Sequence, residues 1–419
     1  MKLYKHQKEI IDKDEKRVGI FTGTGTGKTT TALLLAKKRT IVICPKTQKE
    51  DRNWEREAKK LKVGEPLVIS KEYFRAHWSV LPPCDTLIID EAHTALGVTP
   101  SVKWVGPRGK KVPEIIKSQI FEAVESYIRK HKPERIYPCT ATIVKSPMTV
   151  WACARLLGRD WNFYEFRDVY YFKLPMPGRE VYTAKNDDTT KERLAKTVRG
   201  LGHTGKLSDF FDTPAQTFKN EWVDLTEKQV KKLKTLKLEY PDPIVLLGKK
   251  LQVENGLLNG DEFNAPEVYD NAKIDKILDY CIEFPRMIIF SKYILQINEI
   301  KKAVEKMGKK VFIMTGDTKN RGELIKEVNN TADYVFIVSA QISAGWELPE
   351  CEVMIFASRT YSIVDLEQSW GRIHRANRLK KNLYINLIAR GGIDEAVQDC
   401  LENKKDFSER LYLGLDKKK

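Results

Sequence analysis

The chain has 419 residues, 42% hydrophobic and 31% charged, which is enough apolar material for two or three packed domains and excludes a disordered chain. A net charge of +16 and a pI near 9.3 favour a polyanionic partner whose affinity falls as salt rises, although a merely Lys-rich soluble protein carries the same charge. No stretch approaches the roughly 18 apolar residues of a membrane span, and residues 1–17 are too polar for a signal peptide, so no membrane is expected and the cytosol is the expected compartment.

Short apolar runs at 18–21, 40–44, 66–69, 86–90 and 135–139 alternate with helical segments, and the pattern repeats with runs at 287–291, 311–315, 334–339, 352–356 and 383–388. Alternation of this kind predicts an α/β protein with two lobes, each a parallel sheet flanked by helices. Residues 173–217 are rich in Gly, Pro and charge, and a mixed apolar and charged stretch follows to about 265. The expected organisation is a first lobe over 1–220 with a helical or irregular extension from about 143, a connection over 221–265, and a second lobe over 266–419 closed by a helix. Seven cysteines, at 44, 84, 139, 153, 281, 351 and 400, form no C-x-x-C pair, which excludes a zinc ribbon and a disulfide framework and reads as small core residues.

The first apolar run is followed by Thr22, Gly23, Thr24, Gly25, Thr26, Gly27, Lys28, Thr29 and Thr30, and then by a helical stretch. Glycines let the backbone wrap phosphates with its N–H groups pointing inward, and a helix N-terminus behind them favours negative charge. In such a loop Lys28 reaches the β and γ phosphates of ATP and the Thr29 hydroxyl holds Mg²⁺. The run TLIIDEAH (86–93) ends in adjacent carboxylates at a strand end, where Asp90 can hold Mg²⁺ through water and Glu91 can take a proton from the attacking water. Gln368, Arg372 and Arg375 have helical spacing, so one helix face would present them together; two guanidiniums there suit the charge on a phosphoryl group in transfer.

The ordered set GTGTGKT, ICPK (43–46), DEAH, TAT (140–142), IIFSK (288–292), TGD (315–317), SAGWEL (343–348) and QSWGRIHR (368–375) resembles the superfamily two helicases across nearly the whole chain. More narrowly it is similar to the Swi/Snf-like ATPases, in a compact form of the kind phages encode. Residues 140–157 and 164–171 resemble the stretch after that family's third motif, 222–234 its inter-lobe connection, and 390–409 its terminal helix. Ile342 and Ser343 replace an expected glycine pair, and Glu347 stands where a shorter polar residue is common.

The resemblance implies two tandem RecA-like lobes. It adds Gln7, as a reader of the adenine edge, and Gly345 and Glu347 to the nucleotide set, and it makes Arg372 and Arg375 arginine fingers. It implies contacts to a sugar-phosphate backbone from Pro45, Lys46, Ser70, Thr140 and Thr142 in the first lobe and from Ser291, Lys292, Thr315, Gly316 and Ser339 in the second. Hydroxyls and lysines of that kind grip phosphates without reading bases, and each is equally consistent with a locally satisfied loop residue. The basic segment 103–111 is either a duplex clamp or a solvated loop. The implied activity is ATP hydrolysis by a monomer, driving translocation along double-stranded DNA. A strand-separating helicase and a nucleic-acid-binding scaffold with an inactive ATPase are the alternatives.

Overall fold

The computed structural model describes residues 3–106, 112–176, 179–213, 215–262, 264–340, 342, 346–374 and 381–403. The chain divides into two compact units, residues 1–212 and 213–419.

In the first unit, helix α1 (Lys5–Lys13) leads to β1 (Gly19–Thr22), α2 (Lys28–Leu35), β2 (Thr40–Cys44), α3 (Lys46–Glu50), α4 (Asn53–Leu61), β3 (Leu67–Ser70), α5 (Lys71–His77) and β4 (Thr86–Asp90). A hairpin of β5 (Val98–Val105) and β6 (Val112–Lys117) follows, then α6 (Gln119–His131), β7 (Arg135–Cys139), α7 (Pro147–Leu156) and α8 (Phe163–Tyr170). A second hairpin, β8 (Tyr171–Met176) with β9 (Arg179–Ala184), precedes α9 (Asp188–Arg199), β10 (Gly202–Gly205) and α10 (Leu207–Phe210). The sheet order is β10-β1-β7-β4-β2-β3, all parallel. Its central strands are buried at every position and mostly apolar because both faces are covered. Ile43, Leu87 and Ile89 pack on one side with Phe74, Phe121 and Trp151, while Val42, Ile88 and Tyr137 pack on the other with Leu33, Trp54 and Ala58.

The second unit opens with β11 (Gln216–Val223) and a helical pair, α11 (Glu227–Glu239) and α12 (Pro243–Glu254). After the short strands β12 (Leu257–Leu258) and β13 (Glu267–Val268) come α13 (Ala272–Glu283), β14 (Arg286–Ser291), α14 (Ile294–Lys306), β15 (Val311–Met314), α15 (Arg321–Asn329) and β16 (Tyr334–Ser339). The chain continues through β17 (Val353–Phe356), α16 (Ile363–Trp370), β18 (Asn382–Ala389) and α17 (Ile393–Glu402). This sheet is again parallel, in the order β11-β18-β17-β14-β16-β15. The architecture is two tandem RecA-like lobes, each a parallel sheet between helical layers. All ten apolar runs of the sequence lie in these two sheets, and each sheet gains one further described strand, β10 and β11.

Two local expectations need correction. Residues 103–105 belong to strand β5, paired with β6, rather than to a loop. Gln368 lies in α16, but that helix stops at Trp370, so Arg372 lies beyond its end. Beyond Trp370 the backbone tightens, with Arg372 N donating to Ser369 O and Ile373 N to Trp370 O, which ends the regular helical ladder.

Candidate nucleotide and nucleic-acid sites

Because β1, β7 and β4 are adjacent and parallel, their C-terminal ends carry the glycine loop, Thr140 and Asp90 along one edge of the first sheet. The loop turns from β1 into α2 through Gly25 and Gly27, both at positive φ. At Gly27 the φ of 83° strains any other residue, and a Cβ there would stand 2.3 Å from Gln7 Nε2 and force that carboxamide to shift. The loop is closed from within: Thr22 Oγ1 and Thr26 Oγ1 share a hydrogen bond of 2.7 Å, and Thr26 Oγ1 donates to Gly23 O at 2.8 Å. Lys28 Nζ donates to the carbonyl oxygens of Thr22 and Gly23, both at 2.9 Å. Thr29 and Thr30 occupy the first turn of α2, with Thr29 half-buried. Gln7 is buried, donating from Nε2 to Gly27 O at 3.3 Å and accepting from Tyr4 N at 3.0 Å, so its carboxamide is tied to the loop's exit.

Asp90 is buried at the end of β4. Its Oδ1 accepts from Glu91 N at 2.9 Å and its Oδ2 from Trp54 Nε1 at 3.2 Å. Burial, with the neighbouring Glu91 charge, pushes its carboxyl pKa up to about 6 against the pull of Lys71, Trp54 and Lys28. A buried carboxylate held this way suits a divalent cation. Among the described residues no group of three or more His, Cys, Asp or Glu converges on a point, so a Mg²⁺ at Asp90 and Thr29 would complete its shell with phosphate and water.

Glu91 adopts a left-handed backbone, φ 44°, which costs about 1–3 kcal/mol in a non-glycine residue and must be held in place by its surroundings. Its carbonyl accepts from Lys71 Nζ at 3.0 Å and from Thr94 Oγ1 at 2.9 Å, and Lys71 also bonds the Thr94 hydroxyl. Burial lowers the Lys71 pKa, while Asp90 and Glu91 oppose that shift. His93 Nδ1 and Thr140 Oγ1 share a 2.8 Å hydrogen bond, and Glu91 Oε2 lies 3.5 Å from each. Burial drives the His93 pKa down to about 4, so the ring is neutral near pH 7. Thr142 donates from its backbone N to Thr140 Oγ1 at 3.1 Å. Thr140 is wholly buried, so its hydroxyl joins His93 to this cluster and does not face solvent.

The remaining first-lobe positions lie further along the same edge. Pro45 caps α3 at the end of β2, the exposed Lys46 pairs with Glu50 at 3.7 Å, and Ser70 caps α5 by accepting from Tyr73 N at 3.2 Å. Trp54, Glu57 and Lys71 were not singled out in the sequence. Trp54 and Ala58 read as the apolar face of a helix, and a lysine after a strand reads as solvated.

In the second lobe, β14, β16 and β15 end side by side with Ser291 and Lys292, Ser339, and Thr315 and Gly316. Ser291 is buried, donating to Gln296 Oε1 at 2.7 Å, and Ser339 beside it is buried as well. Lys292 N donates to Ser358 Oγ at 2.7 Å, and its ammonium lies 3.7 Å from the Tyr361 ring centroid. Thr315 N donates to Thr318 Oγ1 at 2.8 Å, and Gly316 is exposed. Gln368 is buried, and Arg372, also buried, donates from Nε to Gln368 O at 3.2 Å and from Nη1 to Trp346 O at 3.1 Å. Glu347 is exposed. Gly345, Arg375, residues 107–111 of the basic segment and 404–409 of the terminal stretch lie outside the described residues.

Among the described residues no helix is long and apolar enough to cross a membrane. A solved structure, the Sulfolobus solfataricus SWI2/SNF2 ATPase core in complex with dsDNA, is 17% identical with a TM-score of 0.40, over 96% of this chain and 91% of that one. No curated protein matches the chain. Residues 272–377, from the start of α13 past Arg372, match the helicase conserved C-terminal domain family, so the second lobe is helicase-like.

Proposed function

We propose that the protein is a DNA-stimulated ATPase that uses Mg²⁺-ATP to translocate along double-stranded DNA and remodel forks, branches or bound proteins. The observation that carries the reading is the convergence of Lys28, Asp90 and Glu91 at one edge of the first sheet, with Glu91 held in a strained backbone beside His93 and Thr140. The helicase-domain match in the second lobe and the charge of +16 support it. The dsDNA of the Sulfolobus complex belongs to that protein; for this chain, duplex DNA is proposed on the resemblance of the strand-end motifs.

In this reading ATP draws Lys28 from the Thr22 and Gly23 carbonyls to its β and γ phosphates, and the amides of 23–29 wrap the phosphate chain. Glu91 accepts the proton of the attacking water. Bound Mg²⁺, held by Thr29 and Asp90, would neutralise phosphate charge. Neutral His93 links Glu91 to Thr140 and Thr142, which gives backbone contacts a route to the base. Arg372 and Arg375 supply positive charge during turnover, Arg372 doing so from its anchorage on Trp346.

A second reading, a strand-separating helicase, draws on the β5–β6 hairpin, which carries Trp104 61% exposed; the basic residues 108, 110 and 111 follow that tryptophan in the sequence. An aromatic in that position can stack on an opened base. ATPase rates with duplex DNA, single strands and RNA, alongside a strand-displacement assay, test both. Strong duplex stimulation without displaced strands is the expected result, displaced strands favour the second reading, and absence of hydrolysis in all three overturns the ATPase.

A further inference from the structure

Helix α4 touches both halves of the nucleotide site. Trp54 and Glu57 are three residues apart and therefore project from neighbouring positions on one helix face. Trp54 Nε1 donates to Asp90 Oδ2 at 3.2 Å, and Glu57 Oε1 accepts from Thr30 Oγ1 at 2.7 Å. Trp54 has no exposed surface and packs with Leu33, Val42 and Ile88, so the indole is fixed where it stands.

From this geometry we infer that α4 is a brace for the metal-nucleotide site, with Trp54 and Glu57 as positioning residues. The inference rests on reading Lys28, Thr29 and Asp90 as the Mg²⁺-ATP site. With Oδ1 taken by Glu91 N and Oδ2 by the indole, the Asp90 carboxylate has one orientation, and each oxygen keeps a lone pair for a cation or its water. Glu57 does the corresponding work on the other wall. It fixes the hydroxyl next to Thr29 and ties the first turn of α2 to the helix that orients Asp90. One rigid element thus sets the spacing between the two groups that a cation must bridge.

The test is equilibrium binding of a fluorescent ATP analogue to the full chain, by anisotropy, in Mg²⁺ and in EDTA. Trp54→Phe keeps the ring and removes the N–H. It should cut the Mg²⁺-dependent gain in affinity by about tenfold to a hundredfold, the usual effect of removing a hydrogen bond to a metal ligand, and leave the affinity in EDTA unchanged. In an Asp90→Asn background the same change should have no further effect, whereas general loosening of the core would persist there. Glu57→Ala, at a half-buried position that threatens the fold less, should cut the same Mg²⁺-dependent gain by about fivefold to tenfold. If Trp54→Phe retains the full Mg²⁺ gain, or loses binding equally in both conditions, the brace is wrong while the nucleotide site stands. If Trp54→Phe does not fold, an unchanged Mg²⁺ gain in Glu57→Ala equally rules the brace out. A wild-type chain whose ATP binding ignores Mg²⁺ overturns the site and the brace with it.

Discussion

Asp90 and His93, three positions apart, titrate in opposite senses because burial penalises the charged form of each. For Asp90 the folded pKa of about 6 lies above the ordinary 3.8, so its contribution to stability is fullest below 3.8 and is lost as pH rises through 6. For His93 the folded value of about 4 lies below 6.5, so its contribution is present above 6.5 and is lost as pH falls toward 4. Over the shared window the two slopes oppose each other, and the wild-type profile should be shallow. Asp90→Asn removes one of them. In nucleotide-free protein the stability of Asp90→Asn relative to the wild type should rise as the pH climbs from about 4 to 6, because only the wild type must ionise a buried carboxyl there. Thermal unfolding of both proteins across that range checks it; a stability difference independent of pH would contradict the assignment. Glu91→Gln should bind ATP and abolish turnover, and Lys28→Ala should lose both. Near-normal turnover in Glu91→Gln would remove Glu91 as the base. Lys28, and separately the pair Asp90 and Glu91, could be proposed from the sequence because each sits in a short run of characteristic residue types, GTGTGKT and DEAH. Trp54 could not, since its partner Asp90 lies 36 residues away and only the fold joins them.

The central strands were readable for a physical reason. A parallel strand covered on both faces carries an unbroken apolar run, as in TIVIC, TLIID and YVFIVS, and nothing in a loop resembles that. The two strands of the six-stranded sheets that escaped are both edges. Strand β10 is GHTG, and β11 is QTFKNEWV, exposed over its first half. Edge strands with polar or glycine-rich sequences carry no periodic apolar signal, so backbone pairing decides them. Helix α16 differs in another way: the spacing of Gln368 and Arg372 suits a helix, yet α16 ends at Trp370 and a buried turn takes Arg372 to the Trp346 carbonyl. That turn makes Arg372 structural as well as cationic. Arg372→Ala strips donors from two carbonyls and should destabilise the second lobe by about 2–4 kcal/mol, a fall on the order of 5–10 °C in Tm. Arg375→Ala should instead lose turnover more than ATP affinity. Melting curves and ATP binding measured on both variants decide between these roles, and an unshifted Tm in folded Arg372→Ala would remove the structural part.

At the scale of the whole molecule, the repeated alternation of strand and helix made two lobes legible, while a polar strand such as β11 reads like connecting chain and blurs where the second begins. On the proposed reading the chain grips a polyanion, and its charge bears on which one. A charge of +16 implies attraction to phosphates, and contacts through hydroxyls, lysines and backbone carry no base readout. Binding to duplex DNA should therefore depend little on sequence, and log K should fall linearly with log salt at a slope of roughly −0.9 per phosphate neutralised. Replacing Lys46, exposed at the start of α3, with Ala should weaken binding similarly on unrelated duplexes and make that slope shallower by about one. Trp104→Ala separates translocation from unwinding. A translocase keeps its duplex-stimulated ATPase and has no strand displacement to lose. A strand-separating enzyme keeps its ATPase and loses displacement, because removing the ring removes about 1–3 kcal/mol of stacking on the opened base. If the salt slope is flat in the wild-type chain, its charge is only a solvated surface, and nucleic acid ceases to be the track on which ATP hydrolysis does work.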